Sequence, residues 1–96
     1  MQVQILKEAE TEFWKAVTDY EQTESDLGVR FSDEVLRHIG MIEQHPTLPR
    51  LRSGRYRRVN LDIFPFYIAY HIRSETIYVV AIAHSKRKPN YWKDRN

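Results

Sequence analysis

The sequence contains no cysteine, only three glycines and no long apolar run. Without cysteine, neither a disulfide nor a thiolate metal site can form, and this usage fits the reducing cytoplasm. Three glycines are too few for a glycine-rich phosphate loop. No segment approaches the roughly 18 apolar residues that span a membrane. The first ten residues also lack the basic start and apolar stretch of a signal peptide. These absences favour a cytoplasmic protein that binds no membrane.

The 96 residues are enough for one small domain, residues 1–96, and 42% of them are hydrophobic, which suffices for a core. The charge is distributed unevenly along the chain. Residues 1–45 contain ten acids and four bases, whereas residues 46–96 contain eleven bases and three acids. The two parts therefore carry net charges of −6 and +8. We expect a basic protein with one face that meets a polyanion or an acidic protein.

Hydrophobic periodicity predicts the order β-α-α-β-β-β with a short C-terminal helix. Apolar residues at helical spacing indicate one helix from Glu8 and a second that is capped by Ser25 or Asp26 and ends before Pro46. Pro89 fits the first position of the terminal helix. The predicted strands are residues 2–6, 55–61, 64–72 and 76–83, with a loop at 46–54. The fold class is therefore α+β, a helical hairpin packed on a small twisted, mostly antiparallel sheet.

Four segments resemble the RelE/ParE family of bacterial toxins from type II toxin–antitoxin systems. They are LGVRFSDEVLRHI, YRRVNL, FPFYIAYHI and IYVVAIAHSKRKPNYW, in the family's order and spacing over almost the whole chain. The ending AIAH..R.P.YW..R is the most specific part. The resemblance implies a cytoplasmic, growth-inhibiting toxin of the plasmid-stabilisation type that needs no cofactor. It also implies a cognate antitoxin that holds the toxin inactive in a hetero-oligomer.

Five arginines fall within nine residues, with no acid among them: Arg50, Arg52, Arg55, Arg57 and Arg58. Guanidinium groups bind phosphate or carboxylate in bidentate geometry, so this cluster is predicted to contact a partner. The alternative is a solvated edge whose charge prevents aggregation. Arg55 and Arg57 share one face of the strand and Arg58 takes the other, so the cluster cannot act as one flat patch.

The segment HSKRKPNYW, residues 84–92, carries the candidate catalytic residues His84, Arg87 and Tyr91. An imidazole can accept a proton from a ribose hydroxyl near neutral pH, and a guanidinium can stabilise charge on the phosphate. A tyrosine can donate a proton or stack on a base. The alternative is that His84 and Tyr91 form structural hydrogen bonds. The residues predicted to bind a partner or phosphate are Arg55, Arg57, Arg58, Lys86, Lys88 and Trp92, although Trp92 also suits packing on the sheet.

The resemblance leaves three functions open. The first is a non-enzymatic toxin that binds and poisons DNA gyrase. The second is a ribosome-dependent endoribonuclease that cleaves mRNA. The third is an inactive relative that serves as an antitoxin-binding module or co-repressor. Members that cleave mRNA usually carry an arginine before the apolar run of the third strand and another after the fourth strand. Tyr67 and Ser85 occupy these positions here, which favours the gyrase poison over the enzyme.

Two further expectations concern metals and the antitoxin. His38, His45, His71 and His84 show no ligand-like spacing with acids, so no metal site is predicted. The antitoxin is expected to lay an acidic, amphipathic segment across the helices and over the basic end of the sheet, where it can add a strand at an edge. Trp14 lies just off the apolar stripe of the first helix, and is either rim packing or part of this antitoxin surface.

Overall fold

The structure is a computed structural model and is described for residues 1–95. Two helices pack on one face of a five-stranded sheet. The elements are β1 Gln2–Ile5, α1 Lys7–Thr23, α2 Leu27–Gln44, β2 Leu51–Ser53, β3 Tyr56–Asn60, β4 Phe66–Arg73 and β5 Thr76–His84. The strand order is β1-β5-β4-β3-β2. β1 runs parallel to β5 and the other pairs are antiparallel. The predicted α+β class and its mostly antiparallel sheet are confirmed. Among the described residues no helix has both the length and the apolarity that crossing a membrane requires.

Two local features differ from the sequence-based expectation. The predicted loop contains β2, a three-residue strand that pairs with β3 through a register shift and is too short to show a period. The predicted C-terminal helix does not form. Asn90 adopts a left-handed backbone with φ 62°, which interrupts the helical path that Pro89 begins. Four-residue turns replace the helix, with hydrogen bonds from Lys93 N–H to the Asn90 carbonyl and from Arg95 N–H to the Trp92 carbonyl.

The helical hairpin closes through a side chain that the sequence did not indicate. The carboxylate of Glu21 accepts hydrogen bonds from the N–H groups of Asp26 and Gly28, each at 3.0 Å. It thereby satisfies free donors at the start of α2, the role expected of Ser25 or Asp26. Asp26 itself sits in the left-handed region with φ 72° and forms no side-chain cap. The two helices approach closely at Gly28, where an added Cβ would lie 2.6 Å from the Val17 carbonyl oxygen.

A helix-side core lies between the helices and the sheet. At its centre is an aromatic cluster in which Phe31 packs against Tyr20, Phe64 and Phe66 with ring centroids 4.9–5.3 Å apart. The strand register shifts between Ala69 and Tyr70 of β4, opposite residues 79–81 of β5. Such a bulge inserts one residue into the alternation of a strand. β5 is apolar on both faces because its residues contribute to two cores, with Val79 and Ile82 in one and Val80 and Ala81 in the other.

A second core lies on the opposite face of the sheet and is covered by the C-terminal segment, residues 85–95. Trp92 is only 3% exposed and packs with Tyr56, Tyr67, Ala69 and Val80, among others. Its indole N–H donates to the Tyr67 hydroxyl at 2.8 Å, so the polar atom of the buried ring is satisfied. The Tyr56 hydroxyl donates to the carbonyl of Lys93 at 2.9 Å. These contacts fix the segment that carries the predicted site.

Candidate functional site

The structure brings His84, Arg87 and Tyr91 together in one cleft of about 250 Å³ between α1 and the C-terminal segment. β5 ends at His84, the turn that follows carries Arg87, and the next turns return Tyr91 toward α1. The other residues that line the cleft are Glu12, Lys15, Ala16, Asp19, Phe66 and Ile82. The predicted grouping of the three residues is therefore present in space.

Glu12 of α1 connects the elements around this cleft. Its carboxylate accepts the Tyr91 hydroxyl at 2.5 Å and both terminal nitrogens of Arg95 at 3.0 and 3.1 Å. It also accepts the backbone N–H of Ile82 at 3.0 Å. β1 pairs with β5 only as far as Val79. Beyond that point the Glu12 carboxylate accepts the Ile82 N–H, the role that a carbonyl of a neighbouring strand would otherwise have. Glu12 thus ties α1, β5 and the C-terminal segment together.

The hydroxyl of Tyr91 is held in its neutral, donating form. Burial raises the pKa of Tyr91 well above that of an ordinary tyrosine, and its hydrogen bond to Glu12 and the charge of that carboxylate raise it further. Arg87 and Arg95 lower this pKa by smaller amounts. A phenol that already donates to a carboxylate is a poor proton donor to a substrate. The bond to Glu12 is a hydrogen bond of the structural kind named as the alternative.

The imidazole of His84 is also engaged. Its Nδ1 accepts the backbone N–H of Lys86 at 3.0 Å, and the ring packs edge-on against Phe66 with centroids 5.0 Å apart. A neutral ring that accepts at Nδ1 carries its proton on Nε2. It therefore has no free lone pair with which to act as a base until the Lys86 contact breaks.

Arg87 is the most open of the three predicted residues. Its guanidinium lies 3.8 Å from the centroid of the Tyr91 ring and 3.7 Å from a carboxylate oxygen of Glu12, with its side chain 55% exposed. The ring and the carboxylate orient the charge while one side faces solvent. Arg87 can therefore contact an anion or a partner's acidic side chain at the mouth of the cleft.

The arginines of β3 and Arg55, which precedes it, divide between internal and external roles. Arg57 donates to the carbonyls of Pro49 at 2.7 Å and Thr47 at 3.3 Å, so its guanidinium stabilises the loop before β2. Arg57 is half-buried and turned toward this loop, and its contact with a partner stays a prediction. Arg55 is exposed and lies 5.4 Å from the Tyr56 ring. Arg58 stacks at 3.8 Å on the Tyr67 ring and donates to Asn60 at 3.1 Å.

Arg58 also helps to form a polar groove beside the C-terminal segment. This groove, called here the arginine groove, is lined by Arg52, Ser53, Arg58, Pro89, Asn90 and Trp92. Lys86 and Lys88 are exposed on the same segment. Trp92 forms only the floor, and its predicted contact with a partner does not fit a side chain that is buried in the second core. Arg52 of β2 and Arg58 of β3 thus share one surface with the C-terminal segment.

A further cluster was missed from the sequence. His38 lies one helical turn after Glu34, and Asp62 joins them, with one ligand-type atom from each residue within 4.8 Å of the others. The prediction that no histidine is spaced from an acid like a metal ligand is therefore wrong for His38. The spacing of four residues on one helix was the available signal. The third member follows β3 and could not be read from periodicity.

Comparison with known proteins agrees with the fold and its elements. The family model described as "ParE toxin of type II toxin-antitoxin system, parDE" matches residues 3–89. A search of curated proteins found no match.

Two solved structures share the fold. One is titled "Chromosomal ParDE TA system from P. aeruginosa", with a TM-score of 0.76 at 12% identity, covering 90% of this chain and 97% of that one. The other is the isolated E. coli RelE toxin, with a TM-score of 0.68 at 14% identity, covering 96% of this chain and 92% of that one. At such low identity these two structures support the fold alone. The family assignment depends on the match of residues 3–89 to the family model.

Proposed function

Since this chain belongs to the ParE toxin family of type II toxin–antitoxin systems, we propose that it poisons DNA gyrase by direct binding and that a cognate antitoxin neutralises it. The observation that carries the choice of target is the hydrogen bond from the Tyr91 hydroxyl to Glu12. This contact commits the proton of the predicted general acid to the protein itself. A binding toxin needs no such proton, whereas a ribonuclease does.

The surroundings of the cleft support the same choice. His84 accepts a backbone N–H at Nδ1, so it lacks a free basic nitrogen. Tyr67 occupies the strand position where mRNA-cleaving relatives usually carry an arginine. It is buried and accepts the Trp92 indole N–H. Cleavage of a phosphodiester needs fixed positive charge at the reacting phosphate, and Arg87 alone provides less of it than a pair of arginines.

The surface proposed to meet gyrase combines the arginine groove with Lys86 and Lys88. Arg52, Lys86 and Lys88 are exposed, and Arg58 is held in place by the Tyr67 ring. Arginine is enriched at protein interfaces, and a basic patch accelerates association with an acidic partner. We expect this surface to bind acidic side chains of the target.

Supercoiling by purified gyrase tests the proposal. The wild-type toxin should inhibit it, and the double variant Arg52→Ala, Lys88→Ala should need about tenfold more toxin for the same inhibition, or about 1.4 kcal/mol of binding. Arg30→Ala is the matched control, because Arg30 is an exposed arginine on α2 outside the groove. Equal inhibition by the groove variant and the control would place the contact elsewhere.

Induced expression distinguishes the alternatives. The gyrase poison should arrest growth and leave transcripts intact in vivo. Codon-linked cleavage that disappears in Arg87→Ala would replace this proposal with the ribosome-dependent endoribonuclease. Normal growth, intact transcripts and uninhibited gyrase together would favour an inactive antitoxin-binding module.

The antitoxin is proposed to bind an apolar groove between α1 and α2. The groove is lined by Ile5, Glu10, Phe13, Trp14, Val35, Leu36, Ile39 and Ile82. Trp14 is 58% exposed and Leu36 is 56% exposed, and large apolar side chains left open in this way mark interaction surfaces. An amphipathic antitoxin segment can place its apolar face here and extend its acidic residues toward the basic surface.

A further inference from the structure

Glu34, His38 and Asp62 converge between α2 and the connection from β3 to β4, far along the chain from the cleft of Tyr91. Glu34 is 5% exposed and His38 is 3% exposed. The Glu34 carboxylate accepts the backbone N–H groups of Asp62 and, at 3.0 Å, Ile63. Burial of a carboxylate and an imidazole is costly unless their polar atoms are matched by partners. The atom that requires explanation is Nε2 of His38.

The hydrogen bonds of His38 define which nitrogen holds the proton. Its Nδ1 lies 2.8 Å from the backbone carbonyl oxygen of Glu34. A carbonyl oxygen only accepts, so Nδ1 must carry hydrogen. In a neutral ring, Nε2 then presents a lone pair toward Asp62, whose Oδ1 is 3.6 Å away. Two lone pairs that face each other repel, and a cation between them, either a proton or a metal ion, removes this repulsion.

The arrangement matches the way proteins prepare histidine as a metal ligand. Ligating imidazoles usually donate their other N–H to a carbonyl or carboxylate, which fixes the ring and the tautomer. Two ligand atoms bound to one tetrahedral zinc at 2.0–2.1 Å lie about 3.4 Å apart, close to the Nε2–Oδ1 distance. Asp62 is exposed, so a change of its side-chain rotamer can bring Oδ1 to this distance. The ligand-type atoms of all three residues lie within 4.8 Å of one another, so the carboxylates must move slightly closer to bind one ion.

The local charge also favours a divalent cation. Glu34 and Asp62 contribute two negative charges, and Arg37 lies 3.4 Å from the second oxygen of Asp62. Arg30 and Asp33, of opposite charge, line the same cavity as Glu34. The Glu34 carboxylate already accepts two backbone N–H groups, but its oxygens offer about four lone-pair positions and keep capacity for a metal. Imidazole and carboxylate together suit zinc and neighbouring first-row metals.

We propose that Glu34, His38 and Asp62 form a binding site for a divalent transition-metal ion, for which Zn²⁺ is the best match. The ion takes one imidazole nitrogen and two carboxylate oxygens, and water completes its coordination. It links the middle of α2 to the connection that follows β3. Its consequence is stability that depends on metal, independent of the cellular target of the toxin.

Titration of Zn²⁺ into the chelator-treated protein, followed by calorimetry, tests the site. One equivalent should bind, and it should raise the unfolding temperature because metal binds the folded state preferentially. Co²⁺ in place of Zn²⁺ should give visible absorption from nitrogen and oxygen ligands. A wild-type protein that binds neither ion would overturn the proposal and leave an imidazolium–carboxylate pair at this position.

Asp62→Asn is the informative variant, since Asp62 is exposed and its replacement should leave the fold intact by circular dichroism. It should weaken Zn²⁺ binding at least tenfold and abolish the thermal shift. His45→Gln is the matched control, because His45 is an exposed histidine outside the cluster and should not change binding. Unchanged affinity in Asp62→Asn, or an equal loss in both variants, would contradict the site.

Discussion

Glu12 stabilises the fold through hydrogen bonds to several groups. Replacing it with alanine leaves the Arg95 guanidinium without its carboxylate and the Ile82 N–H group without an acceptor. We expect Glu12→Ala to lower the free energy of unfolding by about 2–4 kcal/mol, measured by urea denaturation. Glu10→Ala removes an exposed acid from the same helix and should change it by less than about 0.5 kcal/mol. Similar values for both variants would mean that the Glu12 network contributes little.

Tyr91 should make stability depend on alkaline pH. The fold raises the pKa of Tyr91, so the native state favours the neutral phenol. Its contribution is complete below the ordinary tyrosine value of about 10 and is lost as the pH rises above that value. Urea denaturation at increasing pH should therefore show a steeper loss for the wild type than for Tyr91→Phe. Tyr20 and Tyr70 also have raised pKa values and should leave a smaller slope in the variant. Parallel pH profiles would contradict the assignment.

These contacts show which parts of the candidate site could be predicted from the sequence and which could not. His84, Arg87 and Tyr91 could be selected because they stand close together in one segment with suitable chemistry. Glu12 could not, because an acid in the first turns of a helix is explained equally well by the helix dipole. Its contact with Tyr91 joins residues 79 positions apart. Only the folded arrangement shows whether the tyrosine donates to substrate or to the protein.

At the scale of elements, the two glycines of α2 should respond in opposite directions to alanine. In Gly28→Ala the new Cβ would meet the Val17 carbonyl at 2.6 Å and the Glu21 side chain at 3.0 Å. The helices must then separate, which should cost about 1–3 kcal/mol. Gly40 has nothing within 4 Å of such a Cβ, so Gly40→Ala should stabilise the protein by about 0.5–1 kcal/mol. Thermal unfolding of both variants provides the measurement, and equal shifts would refute the close approach.

The predictability of each element followed its length. The helices and the long strands contain enough turns or alternations for their apolar residues to show a period. β2 has three residues and an irregular register, so its arginine and leucine read as loop. The C-terminal segment has the sequence of a helix start at Pro89, but Trp92 is drawn onto the sheet and the backbone turns at Asn90. There, packing of one large ring outweighs local propensity.

At the scale of the whole molecule, the sheet has a core on each face. Trp92 is buried in the second core, whereas Trp14 is exposed on α1. Trp92→Ala opens the second core and should reduce the free energy of unfolding by about 3–5 kcal/mol in urea. Trp14→Ala should change it by less than about 0.5 kcal/mol, because Trp14 is exposed. The same Trp14 variant should weaken co-purification with the antitoxin. Strong destabilisation by Trp14→Ala, or undiminished capture of the antitoxin, would argue against the proposed groove.

The parallel pairing of β1 with β5 has a consequence for synthesis of the toxin. Gln2 pairs opposite Thr76, so the first strand finds its partner only after most of the polypeptide has been made. Both helices emerge from the ribosome before β4 and β5, against which they must pack. Closing so large a loop is entropically expensive and slows folding. We therefore expect the sheet to close late in synthesis, so that a growing chain lacks the complete surface of the folded protein until β5 has been made.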